Sequence, residues 1–247
     1  MHRCLEQYCK GEISQNDLVK AYEGQWGQYV LNDLEDKNGF IQLEKEDEYY
    51  QIGINYLSKK IELPNILERY EILGVEKRVE FKIGEYPMVG FIDLLLKEKA
   101  TGEILIMDHK SAKIQFKKNG DPYKSDEDHW RDFKRQLYLY AIPVIKEYGN
   151  VKALAWNLFR MGIVKKIEFD DEEFREAKQW ALDTIHRIER DTEFNQRQDY
   201  FYCRNLCGQR NNCNQEDSYM RNYDYGYNDE YVESEEDYDL NWGEIEI

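Results

Sequence analysis

Two spacings of apolar residues divide the chain. From residue 1 to about 70 they recur at three- and four-residue steps: Leu5, Tyr8 and Cys9 share one helix face, and Tyr49, Ile52, Tyr56 and Leu57 repeat the pattern. This part is expected to be helical, without a strand. From about Val75 the period shortens to two. Residues 79–83 alternate, a turn over 84–87 follows, 88–96 reads as a second strand, 97–102 as a turn and 103–109 as a third strand. The pattern predicts an antiparallel meander of three strands. The third, with Ile104, Leu105, Ile106 and Met107 in succession, is apolar on both faces, which places it in the middle of a sheet covered above and below.

An amphipathic helix is predicted over 126–147, sending Trp130, Phe133, Leu137, Tyr140 and Val144 inward, with Pro143 expected to bend or shorten it. Residues 151–160 and 163–169 read as two more strands around Met161 and Gly162, and 170–190 as a charged helix opened by acids at its positive end. Helices on the faces of a mixed sheet make an α/β core. After Cys213 the composition turns to Asp, Glu, Asn and Tyr, with almost no aliphatic residue until Leu240, and such a segment buries too little surface to order itself. The expected organisation is one domain over 1–213, with a helical part (1–72), the sheet and its long helix (73–170) and a helix with a cysteine cluster (171–213). A disordered acidic, tyrosine-rich tail over 214–247 follows.

The formal net charge of -16 argues against nucleic-acid binding over the whole surface, because that affinity comes mainly from neutralising phosphates. The tail holds -11 of it, leaving residues 1–213 at -5. Within that body Lys110, Lys113, Lys117 and Lys118 have no acid among them, and Arg131, Lys134 and Arg135 follow on the predicted helix. A nucleic-acid path would run there; a solvated loop and helix face is an equally good reading. No run approaches the ~18 apolar residues of a membrane-spanning helix. The opening Met1-His2-Arg3-Cys4 has no signal-peptide character, so the cytoplasm is the expected location and no membrane is involved. Cysteines in that compartment are poor disulfide candidates. Cys203, Cys207 and Cys213 supply three thiols within eleven residues, one ligand short of a tetrahedral metal or cluster site.

Two stretches carry candidate chemistry: Gly90-Phe91-Ile92-Asp93 in the second strand and Ile106-Met107-Asp108-His109-Lys110 at the end of the third. Strand alternation sends Asp108 and Lys110 to one face and Met107 and His109 to the other, and a hairpin can bring Asp93 beside Asp108. Carboxylates emerging from apolar strands are costly to desolvate unless a cation compensates them, and a divalent ion does so better than one lysine. Magnesium takes a few carboxylates and leaves its other positions to water and phosphate oxygens. Such an ion polarises a phosphoryl oxygen and acidifies a water, while Lys110 positions that water or steadies developing charge, which is phosphodiester hydrolysis. A strand-end salt bridge between Asp108 and Lys110, with Asp93 opening a turn, is the plain alternative.

The ordered set Gly90-x-Ile92-Asp93, Asp108-x-Lys110 and Gln136-x-x-x-Tyr140 resembles the RecB-like branch of the PD-(D/E)XK nuclease superfamily. The C-terminal cysteines resemble its iron-sulfur subgroup, which includes CRISPR-adaptation and phage exonucleases. The resemblance covers most of residues 1–213 and implies a restriction-endonuclease-like α/β fold, a mixed central sheet flanked by helices. It implies that Asp93, Asp108 and the helical His2 hold Mg2+ or Mn2+ and that Lys110 is catalytic. Glu80 is a further candidate acid, with an outward-facing strand glutamate as the alternative. Gln136 and Tyr140 share a helix face; they would orient the site and contact DNA, or be a boundary glutamine beside a core tyrosine.

For a 4Fe-4S cluster on Cys203, Cys207 and Cys213, the fourth ligand in the relatives is a cysteine upstream of the helical histidine. The chain is therefore expected to be N-terminally short, with Cys9, nearly on the His2 face, or Cys4, on the opposite one, as substitute. Zinc is the alternative metal. The implied activity is a metal-dependent deoxyribonuclease, an exonuclease on single strands or ends, serving recombination, repair or phage DNA processing. Two other readings stand beside it. One is a catalytically impaired DNA-end or partner-binding module of the same fold. The other makes the tail a dock for a recombination or single-strand-binding protein, or a cover for the basic groove.

Overall fold

The strand Ile104–Lys110 is buried along its whole length except at Lys110. A strand with no polar face must be covered on both sides and paired on both edges. The computed structural model, which describes residues 1–31 and 46–193, meets both demands. This strand is β3 of a five-stranded sheet ordered β1-β2-β3-β4-β5, with β1 Tyr70–Ile83, β2 Tyr86–Glu98, β4 Val151–Leu158 and β5 Ile163–Glu168. The β3/β4 pair is parallel and the others antiparallel. The parallel pair requires a crossover, which the long helix between them provides.

On one face lie α1 (His2–Cys9), α2 (Leu18–Gln25) with a π-helical extension over Trp26–Leu31, α3 (Glu46–Asn55) with another over Tyr56–Lys60, and α4 (Leu63–Arg69). Their Leu5, Leu18, Tyr22 and Tyr56 pack with Leu94, Leu96, Leu105 and Met107 of the sheet. On the other face α5 (Glu127–Tyr148) sets Trp130, Leu137, Tyr138 and Val144 against Ile92, Leu95, Ile106 and Trp156. Next comes α6 (Asp171–Arg190), capped by Asp170, whose carboxylate accepts from the Glu172 and Glu173 N–H groups at 2.8 Å each. No helix among the described residues is long and apolar enough to cross a membrane. The α/β core with a helical N-terminal region is the one expected. The proposed tail over 214–247 lies outside the described residues.

One expectation is corrected. β1 begins at Tyr70, five residues ahead of Val75. Its pairing is irregular between Ile72 and Gly74, and Glu76, at a positive φ, stands between the pairs Val75↔Leu94 and Lys77↔Ile92. Val75 and its partner Leu94 pack with the N-terminal helices, whereas Ile92 packs toward α5 and its partner Lys77 donates to Glu147 and the Tyr148 hydroxyl of α5, all at 2.8 Å. Residues two apart on a regular strand face the same way. The sheet therefore changes face at the intervening Glu76 and Asp93, and the period-two signal is lost there. Pro143, for its part, does not end α5, which runs on to Tyr148. The loss of one backbone donor near the last turn is outweighed by the burial of Ala141 and Val144 around it.

Between the N-terminal helices and the sheet runs a buried polar chain. The Tyr56 hydroxyl donates to Asn157 Oδ1 at 3.0 Å, and Asn157 Nδ2 donates to His109 Nδ1 at 3.0 Å. Leaving the Asn157 oxygen without a partner costs about 1–3 kcal/mol. Tyr56→Phe is thus expected to lower the unfolding free energy by that amount in urea titration; a change within about 0.5 kcal/mol, typical of surface substitutions, would contradict it.

Candidate active site

The change of face fixes where the acids stand. β2 and β3 pair as far as Leu94↔Met107, and beyond that point the His109 N–H donates instead to Asp93 Oδ2 at 2.7 Å. The carbonyl of the same residue accepts from His2 Nε2 at 2.6 Å. His2 opens α1 and meets the Phe159 ring edge-on, with centroids 5.4 Å apart. The backbone of one residue thus holds a side chain from the sheet and another from the first helix. The imidazole of His109 is buried, which pushes its pKa down to about 3, with the nearby His2 adding to the effect. It is neutral, and the Asn157 amide donating to Nδ1 leaves the proton on Nε2.

Asp108 and Lys110 project to the opposite face from His109, as alternation predicts. Asp108 is 3% exposed. Lys110 Nζ lies 2.8 Å from its Oδ2, donates to Gln136 Oε1 at 2.7 Å and sits 5.0 Å from the Phe133 ring centroid. This buried carboxylate thus has the Lys110 ammonium as its ion-pair partner. Burial pushes the Asp108 carboxyl up to about 6; Lys110 opposes the rise, and the charge of Asp93 adds to it.

Glu76, opposite Asp93 in the sheet register, is half-buried and also raised, first by burial and then by the charges of Asp93 and Glu6, while His2 and Lys10 pull it down. Its φ of 50° is strained for a residue other than glycine, a conformation costing about 1–3 kcal/mol that collects at functional sites. Sequence reading missed Glu76; the loss of alternation between Val75 and Lys77 was its signal. Glu80 is exposed and ion-paired with Arg78, so it stands outside the cluster as an outward-facing glutamate.

Gln136 and Tyr140 sit one helical turn apart, and Gln136 Nε2 donates to the Tyr140 hydroxyl at 3.2 Å. The Tyr140 ring lies directly on Gly90, where a Cβ would overlap it. The glycine of the Gly-x-Ile-Asp motif is therefore the seat of the tyrosine that steadies Gln136 and, through it, Lys110. The helix cations are tied to acids: Arg131 to Asp128 at 2.6 Å, Lys134 to Glu173, and Arg135 to Glu176, with Arg135 also 4.6 Å from the Trp180 ring centroid. They fasten α5 internally and to α6. Lys113, Lys117 and Lys118 are exposed. Cys4 is buried and its Sγ donates to Gln25 Oε1 at 3.1 Å; burial pushes the Cys9 thiol up to about 12. Both are protonated core thiols. Cys203, Cys207 and Cys213 lie outside the described residues.

Among the described residues no three His, Cys, Asp or Glu side chains converge tightly enough to enclose an ion as they stand. His2 and Asp93 are turned onto the carbonyl and the N–H of His109. The donor chemistry still fits a hard divalent cation, since Asp108 is a buried carboxylate and the charge of Asp93 raises the pKa of both Asp108 and Glu76.

A mixed sheet whose β2 and β3 part to present Asp93 beside Asp108-x-Lys110 defines a nuclease-like core. The chain belongs to the PD-(D/E)XK nuclease superfamily, whose sequence model matches residues 1–214. It is also similar in structure to a provisionally named exonuclease from Eubacterium rectale, over 81% of this chain and 74% of that one, at 13% identity and a TM-score of 0.41. No curated protein matches it in sequence.

The contact at Gly90 predicts that Gly90→Ala lowers stability by about 1–3 kcal/mol through overpacking and costs far less in a Tyr140→Ala background. Additive losses in thermal unfolding would rule the contact out. A second expectation concerns pH. Folding raises Asp108 from its usual 3.8 to about 6, so its destabilising effect is absent below the lower value, grows between the two and is complete above the higher. In chelator-treated protein, Asp108→Asn should stabilise by about 3 kcal/mol near neutral pH, at roughly 1.4 kcal/mol per pKa unit, and the gain should vanish toward about pH 4. A gain independent of pH would show that ionisation is not its source.

Proposed function

We propose that the chain hydrolyses DNA phosphodiester bonds with Mg2+ or Mn2+ held by Asp93 and Asp108, with His2 and Glu76 completing the set and Lys110 as the catalytic cation. The observation that carries this reading is the buried Asp108 carboxylate, with its Oδ2 2.8 Å from Lys110 Nζ and the charge of Asp93 close by. When bound, the ion supplies Lewis-acid polarisation of a phosphoryl oxygen and a more acidic water. Lys110, fixed by Gln136 and lying over Phe133, orients the attacking water or meets negative charge developing on phosphate. The His109 N–H fixes one oxygen of Asp93. Because His2 Nε2 donates to the His109 carbonyl, the lone pair of neutral His2 is on Nδ1, the atom available to a metal.

The ordered motifs around Asp93, Asp108-x-Lys110 and Gln136-x-x-x-Tyr140 support a RecB-like deoxyribonuclease, an exonuclease acting on single strands or ends in recombination, repair or phage DNA processing. A 4Fe-4S cluster on Cys203, Cys207 and Cys213 would draw Cys9 or Cys4 from the core and remove its proton.

Labelled single strands blocked at the 5′ or 3′ end, incubated with and without Mg2+, test the reading. Cleavage should require the ion, leave one blocked strand intact, and fall about 10²–10³-fold in Lys110→Ala and Asp108→Ala. Variants as fast as the parent would show the site to be misassigned. Binding of DNA without metal-dependent cleavage would select the binding-module reading instead.

A further inference from the structure

A cavity of about 630 Å³ opens beside His2, between the N-terminal helices and the loop after β4. Its lining includes His2 and Ser111, the residue following Lys110, so it adjoins the candidate active site. Its walls carry the rings of Tyr22, Trp26, Tyr49 and Phe159 and the guanidinium groups of Arg3 and Arg160. The Tyr22 and Trp26 centroids are 5.8 Å apart, and Tyr22 stacks on Tyr50 at 5.9 Å. The Arg160 guanidinium lies 4.9 Å from the Tyr49 ring centroid, and Tyr49 is 40% exposed. Gly53 makes room on α3, since a Cβ there would collide with the Tyr22 ring.

The lining is unusual for this chain in its charge. With 50 acids against 34 Lys and Arg overall, the described residues that line the cavity include no Asp or Glu. Its volume falls in the ~300–1,000 Å³ range of small-ligand sites, too small for a duplex. An exposed ring at Tyr49 and a half-buried one at Trp26, with arginines beside them, match the pattern by which unpaired nucleic acid is held without regard to sequence: bases stack on rings while cations follow the backbone.

We propose that this cavity takes an unpaired base of the DNA strand next to the bond to be cut, stacked between Tyr49 and Trp26 with its phosphates toward Arg3 and Arg160. The proposal rests on the nuclease reading and adds a reason for single-strand selectivity: a paired base cannot enter. The strand's phosphate would then lie at the His2 end, facing the acids and Lys110.

Fluorescence anisotropy in EDTA with the full chain separates the two readings. The probes are an oligothymidylate and an abasic sugar-phosphate strand of equal length and charge. The parent should bind the base-bearing strand about 10-fold more tightly, a factor within the range of single-base stacking. Tyr49→Ala and Arg160→Ala, on different elements, should each reduce that ratio to about threefold or less, and Tyr49→Phe should preserve it. Equal binding of both strands by a parent that still cleaves with Mg2+ would overturn the pocket and leave the nuclease intact, as would a preference that survives both substitutions. A parent that neither binds nor cleaves would end the nuclease reading and this one with it.

Discussion

His109 donates its N–H to Asp93, accepts from His2 at its carbonyl, and has its buried imidazole held by Asn157. Side chains from α1, β2 and β4 therefore meet on one residue of β3. The arrangement matters because the neighbouring acids are electrostatically expensive. Burial and mutual repulsion lift Asp108 and Glu76, and Lys110 and His2 compensate only in part. Such a cluster keeps its shape only if its oxygens are tied to something rigid, and a peptide in the central strand of a covered sheet is the stiffest support available. The strain at Glu76 belongs to the same economy, since the face change that brings it opposite Asp93 is what forces its φ positive.

A second line of support runs from the other layer. Tyr140 rests on Gly90, Gln136 reaches Tyr140 and Lys110, and Lys110 reaches Asp108. Both motif segments of the sheet are thus read by one face of α5. Arg131, Lys134 and Arg135 of that helix are engaged with acids of α5 and α6. The cation held against Asp108 is Lys110 itself, and exposed loop lysines follow it in the chain.

Most of the fold was legible because it is periodic. β3 announces its central position by lacking a polar face, and α5 and α6 begin within a residue of their expected starts. The early half of β1 was not legible, because a bulge and a face change between Ile72 and Lys77 erase the alternation on which strand recognition depends. Of the candidate site, strand alternation singled out Asp93, Asp108 and Lys110, and the resemblance added Gln136, Tyr140 and His2. Glu76 was hidden, since its place in the cluster follows from pairing with β2 rather than from any local motif. Lys134 and Arg135 looked available to DNA because Glu173 and Glu176 are some forty residues further on. Tyr49 fell on the expected core face of its helix yet is 40% exposed, at the rim of the aromatic cavity.

The parallel β3/β4 pair has an implication for synthesis on the ribosome. Asn157, which anchors His109, sits near the end of β4, after the whole α5 crossover. An emerging polypeptide that has delivered Asp93, Asp108 and Lys110 still lacks the amide that holds the His109 imidazole in place. Long-range parallel pairing is slow to form. A partly translated chain therefore carries the acids and the lysine of the candidate site before the fourth strand that completes their support.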